Sequence, residues 1–595
     1  MARNTIRKDE DGTQRSKTQL ILRLLSYLKP YKRETIIAVT LMVIAMIGGL
    51  LNPYLLKVAI DTHIKNKNVP GLLWIGVMLI VINLITWILS RIRFQMVAKI
   101  TNIMLVNIRQ ELYTHIQKLS FSFFDSRPVG KILARVIGDV NALQNLFNQG
   151  IQSLIPELLT LLCSAVFMFL LNVKLALACI LLLPFLSIGM FYIEIASRKR
   201  WDVQRKKRSN LNAFTHENFS GIKVVQAFAK DKSTSATFKT MVGELVDAFI
   251  HAIKINEFFW PVVDLSWGIG SVVVFYVGYG LIKTNEIEIG TLLAFSMYVG
   301  MFWRPLMNLS NFYSLLITNF SAADRIFDIL DVNPDLTSPL NAPIMDPIKG
   351  QVTFKNVCFS YDEKSEVLKD VNFTAAPGER IALVGPTGAG KTTIVSLISR
   401  FYDPSSGEIL VDGQNIKAVD LESFRSQLGI MLQDTFLFSG TIMENIRYGK
   451  LDATDEQVIS AAQAVEAHAL IMKMEKGYFT EVNERGSRLS LGQRQLISLA
   501  RALLADPRIL ILDEATSNID TQTERLVQQG IEKLLYNRTS FVIAHRLSTI
   551  RDCDRIMVID ELGIKESGTH KELMTQKGCY YDLYMTQYRF LSEGA

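Results

Sequence analysis

The 595 residues carry 64 Lys and Arg against 57 Asp and Glu, a net charge of +7, and 49% of them are hydrophobic. That length excludes a single core, because domains rarely grow beyond about 250–300 residues. The five cysteines, Cys163, Cys179, Cys358, Cys553 and Cys579, lack metal-ligand spacing, which excludes a zinc module or a disulfide scaffold and leaves reduced thiols.

The first 33 residues are mostly polar and run into "SKTQLILRLLSYLKPYKRE", Ser16 to Glu34, at the start of the first apolar run. Its basic, amphipathic pattern reads as an elbow helix along a membrane surface, or as the solvated start of the next helix. No cleavable signal is expected, since the first apolar run begins late and is too long for one.

Residues 34–325 contain several long runs without charge. A bilayer core about 30 Å thick needs roughly 20 apolar residues of helix. Six spans are expected, over Thr35–Leu56, Gly71–Ser90, Leu154–Val173, Leu175–Ile193, Phe258–Ile282 and Ile289–Trp303 with its continuation. Links one to two, three to four and five to six are short. Links two to three and four to five are long, basic and helical in period, as in "RKRWDVQRKKR" from Arg198 to Arg208. Positive charge stays on the cytosolic side, so both termini and both long links face the cytosol. The links read as spanning helices continued into it. The basic residues are thereby explained by the membrane, and no nucleic acid is expected as a partner.

Two features of the spans bear on cargo. Asp264 lies within the fifth, where an ionisable group is costly; it serves a cationic drug or a buried structural pairing. Phe295, Tyr298 and Phe302 share one stripe of the sixth, which reads as packing ahead of an apolar drug pocket.

Prolines and turn formers then mark a linker over 326–350, "DVNPDLTSPLNAPIMDPIKG". Residues 351–595 alternate strands with helices. The runs "RIALVG", "RILILD", "TSFVIAH" and "RIMVID" are continuously apolar, as expected of a parallel sheet buried on both faces. The chain as a whole is therefore multidomain, an all-α six-helix membrane domain followed by an α/β P-loop domain.

"GPTGAGKTT", from Gly385 through Pro386, Thr387, Gly388, Ala389, Gly390, Lys391 and Thr392 to Thr393, sits between a strand and a helix. Glycines let backbone N–H groups curl around phosphate, and the helix start favours the anion. Lys391 reaches the β- and γ-phosphates of ATP and Thr392 offers its hydroxyl to Mg²⁺. Asp513 ends the strand "ILILDE" and suits the Mg²⁺ shell, and Glu514 beside it suits a general base for water. Tyr361 precedes the loop and suits stacking on adenine. Gln433 ends another strand, suited to contact metal and water. His545 ends a third at the same sheet edge, suited to the γ-phosphate.

Together these segments resemble the ATP-binding-cassette exporters along nearly the whole chain. "GPTGAGKTT" is similar to their Walker A motif, "ILILDEA" to Walker B, and "LSLGQ", with Ser490, Leu491, Gly492 and Gln493, to their signature. Gln433 falls in their Q-loop, "SNID" ending at Asp520 in their D-loop, and His545 at their switch histidine. The resemblance implies a type IV half-transporter that pairs with a second half, clamping ATP between one chain's Walker motifs and the other's signature. It also implies coupling helices near Phe123–Arg127 and Glu217–Lys223, the second reaching the partner, and an ATPase driving export of hydrophobic or cationic molecules, or lipid flipping. The family pattern is LSGGQ, and Leu491 departs from it; Asn483, where glycine is common, departs too. A heterodimer with one competent and one degenerate ATP site is expected, with a homodimer turning over both sites as the alternative.

Overall fold

The computed structural model describes residues 15–181, 183–339, 341–362, 365–431, 435–483, 486, 488–513, 520–543 and 550–592, with side chains at most of them. The chain divides into two compact units. One comprises residues up to Ile116 together with Gly130–Asp331, and the other comprises Gln117–Val129 with Val332 onward.

The first unit is helical. It runs through α1 (Lys17–Ser26), α2 (Lys32–Val58) and α3 (Val69–Lys118); the short α4 (Phe121–Asp125) belongs to the other unit. It resumes with α5 (Val129–Ala134), α6 (Val140–Gln149), α7 (Ile155–Leu171), α8 (Val173–Ile180), α9 (Leu183–Ser220), α10 (Ile222–Ala227) and α11 (Asp231–Asn256). It closes with α12 (Phe259–Lys283) and α13 (Ile289–Leu330). Among the described residues, Lys29–Ile64, Val69–Lys118 and Val129–Leu171 are long and apolar enough to cross a membrane, and Gly268–Lys283 and Ile289–Phe302 form shorter apolar helices.

α3 shows how one helix serves two solvents. Its 50 residues extend about 75 Å, far beyond a bilayer core. In its apolar first half Trp74 and Ile80 are exposed at 75% and 70%, as suits a lipid-facing surface. Its second half instead buries a stripe, Val97, Ile100, Met104, Ile108, Leu112 and Ile116, at the three- and four-residue spacing of a packed helix face.

α13 lies along α7, α2 and α6, and a charged contact ties its far end to the preceding turn of helix. Asp139, buried in a π-helical segment (Arg135–Asp139), accepts from Arg325 Nε at 3.0 Å and from Arg135 Nη1 at 3.3 Å. Arg325→Ala is expected to cost about 2 kcal/mol, below the range for a fully buried pair because Arg325 is half-exposed and Arg135 stays in reach. A lowered melting temperature of the detergent-purified protein checks this, and an unchanged one contradicts it.

Among the described residues the second unit holds a two-stranded ribbon, β7 (Gly440–Thr441) with β8 (Glu481–Val482), and two larger sheets. One is antiparallel, in the order β2 (Glu366–Ala375), β1 (Val352–Ser360), β4 (Ser406–Val411) and β5 (Gln414–Asn415). The other has the order β12 (Gly563–Gly568), β11 (Arg555–Asp560), β3 (Arg380–Val384), β10 (Thr539–Ile543), β9 (Ile509–Asp513) and β6 (Leu428–Met431). From β11 to β6 every pairing is parallel. All five residues of β10 are buried, which is why the sequence runs apolar without alternation. Apolar side chains pack on both faces of this sheet. One cluster joins it to the antiparallel sheet and to α14 (Lys391–Ile398), and the other joins it to α19 (Leu491–Leu504) and α20 (Thr521–Leu535).

Candidate nucleotide-binding site

Register places the motifs along one sheet edge. Ile543 on β10 pairs with Leu383 on β3 and with Asp513 on β9, while Met431 on β6 pairs with Leu512. The four strands therefore finish level with one another. Gly385 follows β3 by one residue, and Asp513 is the last residue of β9. Gln433, Glu514 and His545 lie outside the described residues; by chain position each follows the end of one of these strands within two residues.

Between β3 and α14 the loop is built on glycine. Gly385, Gly388 and Gly390 have φ of +151°, +88° and +102°, a region that side-chain-bearing residues seldom enter. A Cβ on Gly388 would meet nothing within 4 Å, so the loop's outer side is open. Pro386, Thr387 and Gly388 are exposed, Ala389 is half-buried, and Thr392 presents an exposed side chain in the first turn of α14. This open, N–H-lined cradle at a helix start fits a polyphosphate. Lys391 folds back over it, donating from Nζ to the carbonyl oxygens of Gly385 at 2.7 Å and Pro386 at 2.8 Å. Burial pulls its pKa down, partly opposed by the Asp513 carboxylate. Thr392 and Asp513 are the described residues that would hold Mg²⁺ beside a bound triphosphate.

Tyr361 is half-exposed (52%) and hydrogen-bonded through its hydroxyl to Thr393 Oγ1 at 3.1 Å. Its ring meets Tyr402 edge-on, at 5.1 Å and 89°. Burial raises its pKa, so it remains a neutral phenol whose exposed ring is free to stack.

Tyr402 is a residue that sequence reasoning missed. Its hydroxyl donates to Asp125 of α4, and next to it Phe401 packs on Phe121 with ring centroids 4.4 Å apart. Asp335 accepts from the hydroxyls of Ser120 and Ser122, each at 2.9 Å. The turn at Phe123–Arg127 is thus docked on the nucleotide-binding unit beside Tyr361. No local pattern in "RFYDP" signals this, because the partners are more than 270 residues apart.

The signature segment is fully formed. Ser490 caps α19, its Oγ accepting from Gln493 N at 3.2 Å while Gln493 Oε1 accepts from Ser490 N at 2.9 Å. Such a capping box satisfies two donors of the first turn. Leu491 is the first helical residue, half-exposed, and Gly492 is buried. Leu491 is absent from the positions with positive φ, so the backbone here tolerates a side chain; only the space in front of the helix is altered. Asp520 caps α20 by accepting from Thr523 N at 2.9 Å, a bond that lowers its pKa.

In the helical unit Phe295, Tyr298 and Phe302 are buried in one apolar cluster with Leu50, Met168 and Val274. Tyr298 donates to Leu50 O at 2.6 Å and stacks on Phe167 at 5.8 Å. Asp264 is exposed on α12, not buried in the chain's interior.

Residues 35–306 match the ABC transporter transmembrane region and residues 368–517 match the ABC transporter ATP-binding family. The chain belongs to the ABC transporter family. It is 43% identical over 574 residues to "Uncharacterized ABC transporter ATP-binding protein YknV" of Bacillus subtilis (strain 168), covering 95% of this chain and 94% of that one. An ATP-dependent lipid A-core flippase of Syntrophus aciditrophicus (strain SB) is 35% identical, over 97% and 96%. A Staphylococcus aureus (strain NCTC 8325 / PS 47) relative named for multidrug export is 36% identical, over 96% and 100%. Among solved structures, a bacterial Atm1-family ABC exporter with ATP bound superposes with a TM-score of 0.75 at 27% identity, covering 93% of this chain and 98% of that one. This ABC transporter therefore has the type IV exporter fold, helical membrane domain first and ATP-binding cassette second, and is an ATPase coupled to transport.

Proposed function

We propose that this chain is one half of an ATP-driven exporter of hydrophobic or cationic molecules, paired with a second half-transporter of different sequence. In this reading both termini and the cassette are cytoplasmic, as the basic clusters of the long links require. The observation that carries the pairing is Leu491. Ser490 and Gln493 cap a regular helix, yet an isobutyl group stands where a glycine would let the backbone approach the γ-phosphate of the facing chain. In a homodimer both sites would meet it. In a heterodimer this chain's Lys391, Asp513, Glu514 and His545 face an ordinary signature, and only the partner's Walker side meets Leu491. Exposed Phe219, Val224 and Phe228 around the second turn, at 71%, 60% and 72%, support a surface completed by another chain.

ATP makes contacts to the second chain only when the cassettes close, and such differential binding shifts the equilibrium towards closure. A shift from 1:99 to 99:1 needs about 5.5 kcal/mol. Thr392 and Asp513, with Gln433, would hold Mg²⁺, which would neutralise charge on the phosphates; Glu514 would take the water's proton, and loss of the γ-phosphate would remove the bias.

The chain purified alone is expected to hydrolyse ATP poorly. Leu491→Gly is expected to raise that lone-chain rate by about tenfold or more, the effect of recovering one charge-assisted contact. Vigorous turnover by the wild-type chain alone would defeat the heterodimer. A second reading, lipid flipping, is favoured by the relatedness to the lipid A-core flippase. ATPase stimulation by cationic drugs against stimulation by lipid separates the two.

Asp264, exposed on its helix, is assigned to the translocation passage or to the second chain. Phe295, Tyr298 and Phe302 are assigned to packing.

A further inference from the structure

The helical unit contains a pocket beside which, among the described residues, one guanidinium nitrogen is buried without a hydrogen-bond partner. It is a narrow groove, partly open to the outside, lined by Leu28, Thr35, Met42, Val97, Ile155 and Arg93. The Thr35 hydroxyl is already engaged, donating to Tyr31 O at 2.8 Å. Arg93 Nη1 is buried and, among the described residues, has no hydrogen-bond partner. A buried donor of a charged group left unmade is expensive, so this nitrogen calls for an anion.

The pocket's place in the chain says which anion. Thr35 begins the first expected span, Arg93 lies three residues after the second ends at Ser90, and Ile155 lies one residue into the third. Three independently drawn span boundaries thus converge on one pocket at a single depth, the level of the headgroups. Exposed Lys29, Lys32 and Arg33 fall in the segment between Leu28 and Thr35. The neighbouring helix α1 buries Leu20 and Leu24 and exposes Ile21, Leu22 and Leu25, an arrangement suited to lying in the interface. A basic rim, a forked donor and an apolar groove together match a molecule with a phosphodiester and a hydrocarbon tail.

We propose that this pocket binds an anionic phospholipid of the cytoplasmic leaflet, its phosphodiester on Arg93 and an acyl chain along Val39 and Met42. The leaflet rests on the orientation proposed above; the binding itself does not depend on ATP or cargo. The lipid holds the elbow helix and the ends of three spans together, apart from any transported molecule.

The test uses the full-length protein, extracted from membranes and reconstituted in nanodiscs of phosphatidylcholine with or without phosphatidylglycerol, with retained lipid counted by native mass spectrometry. Wild type is expected to retain phosphatidylglycerol over phosphatidylcholine by about tenfold, in line with one charge-assisted bond. Arg93→Gln is expected to abolish that preference and Arg93→Lys to keep part of it. Met42→Trp, which fills the groove and leaves Arg93 untouched, is expected to release both lipids. No preference in the wild type overturns the proposal, as does wild-type retention in both Arg93→Gln and Met42→Trp. Displacement of the lipid by inorganic phosphate alone would mark a simple anion site and also overturn it. So would weakened association between half-transporters with lipid preference unchanged, since Arg93 would then meet a carboxylate of the other chain. Export can fail its own test while these lipid counts stand, because neither ATP nor cargo enters them.

Discussion

Glu514→Gln is expected to bind ATP as the wild type does and to turn it over at least about 10²-fold more slowly, the usual range for loss of a general base. Asp513 closes β9 level with the ends of β3 and β10, and Glu514 is the next residue in the chain. The amide keeps the size and hydrogen-bonding capacity of the carboxylate and loses its basicity. Binding of a fluorescent ATP analogue measures the first half of the expectation. Phosphate release with the competent partner present measures the second, and crosslinking between cassettes should show the closed form accumulating. Turnover near the wild-type rate would remove Glu514 from the chemistry.

Gly385→Ala is expected to destabilise the cassette by about 3 kcal/mol or more, combining a backbone conformation hostile to side chains with overpacking. The added Cβ would lie 2.1 Å from the carbonyl oxygen of Ile559. That oxygen cannot yield, because β11 is held on one side by β3 through Val558 and Val384, and on the other by β12 through Ile559 and Ile564. Gly388→Ala makes the contrast. Its φ of +88° is equally left-handed, but nothing stands within 4 Å of the new atom, so about 1–2 kcal/mol is expected. Melting temperatures of the two variants should separate clearly. Equal stability would mean that the β3–β11 contact is looser than the geometry implies.

Much of the cassette was legible because its signals are local. The glycines of the phosphate loop and the continuously apolar run that becomes the buried strand Thr539–Ile543 each declare themselves within a few residues. The helices that continue from the membrane were legible too. Charge-free runs give way to basic, periodic ones in the same helix, and α3 follows that change by switching from lipid-facing exposure to a buried stripe. The Phe295, Tyr298 and Phe302 stripe was ambiguous in sequence, since packing and drug binding ask for the same residues. Their burial with Leu50 and Met168 supports the packing reading proposed above. Asp264 was ambiguous in the same way, and it stands exposed on α12.

The sequence by itself determined the order of the domains, the membrane character of the first, and a phosphate loop followed by an acidic strand, because backbone conformation and transfer from water depend on neighbouring residues. Only the tertiary structure decided that Tyr402 meets Asp125, that Leu491 opens a helix whose backbone needs no glycine, and that Arg93 Nη1 is buried beside an apolar groove without a hydrogen-bond partner among the described residues. These are contacts between distant segments, set by which strands and helices lie side by side, and nothing within a short window of sequence encodes them.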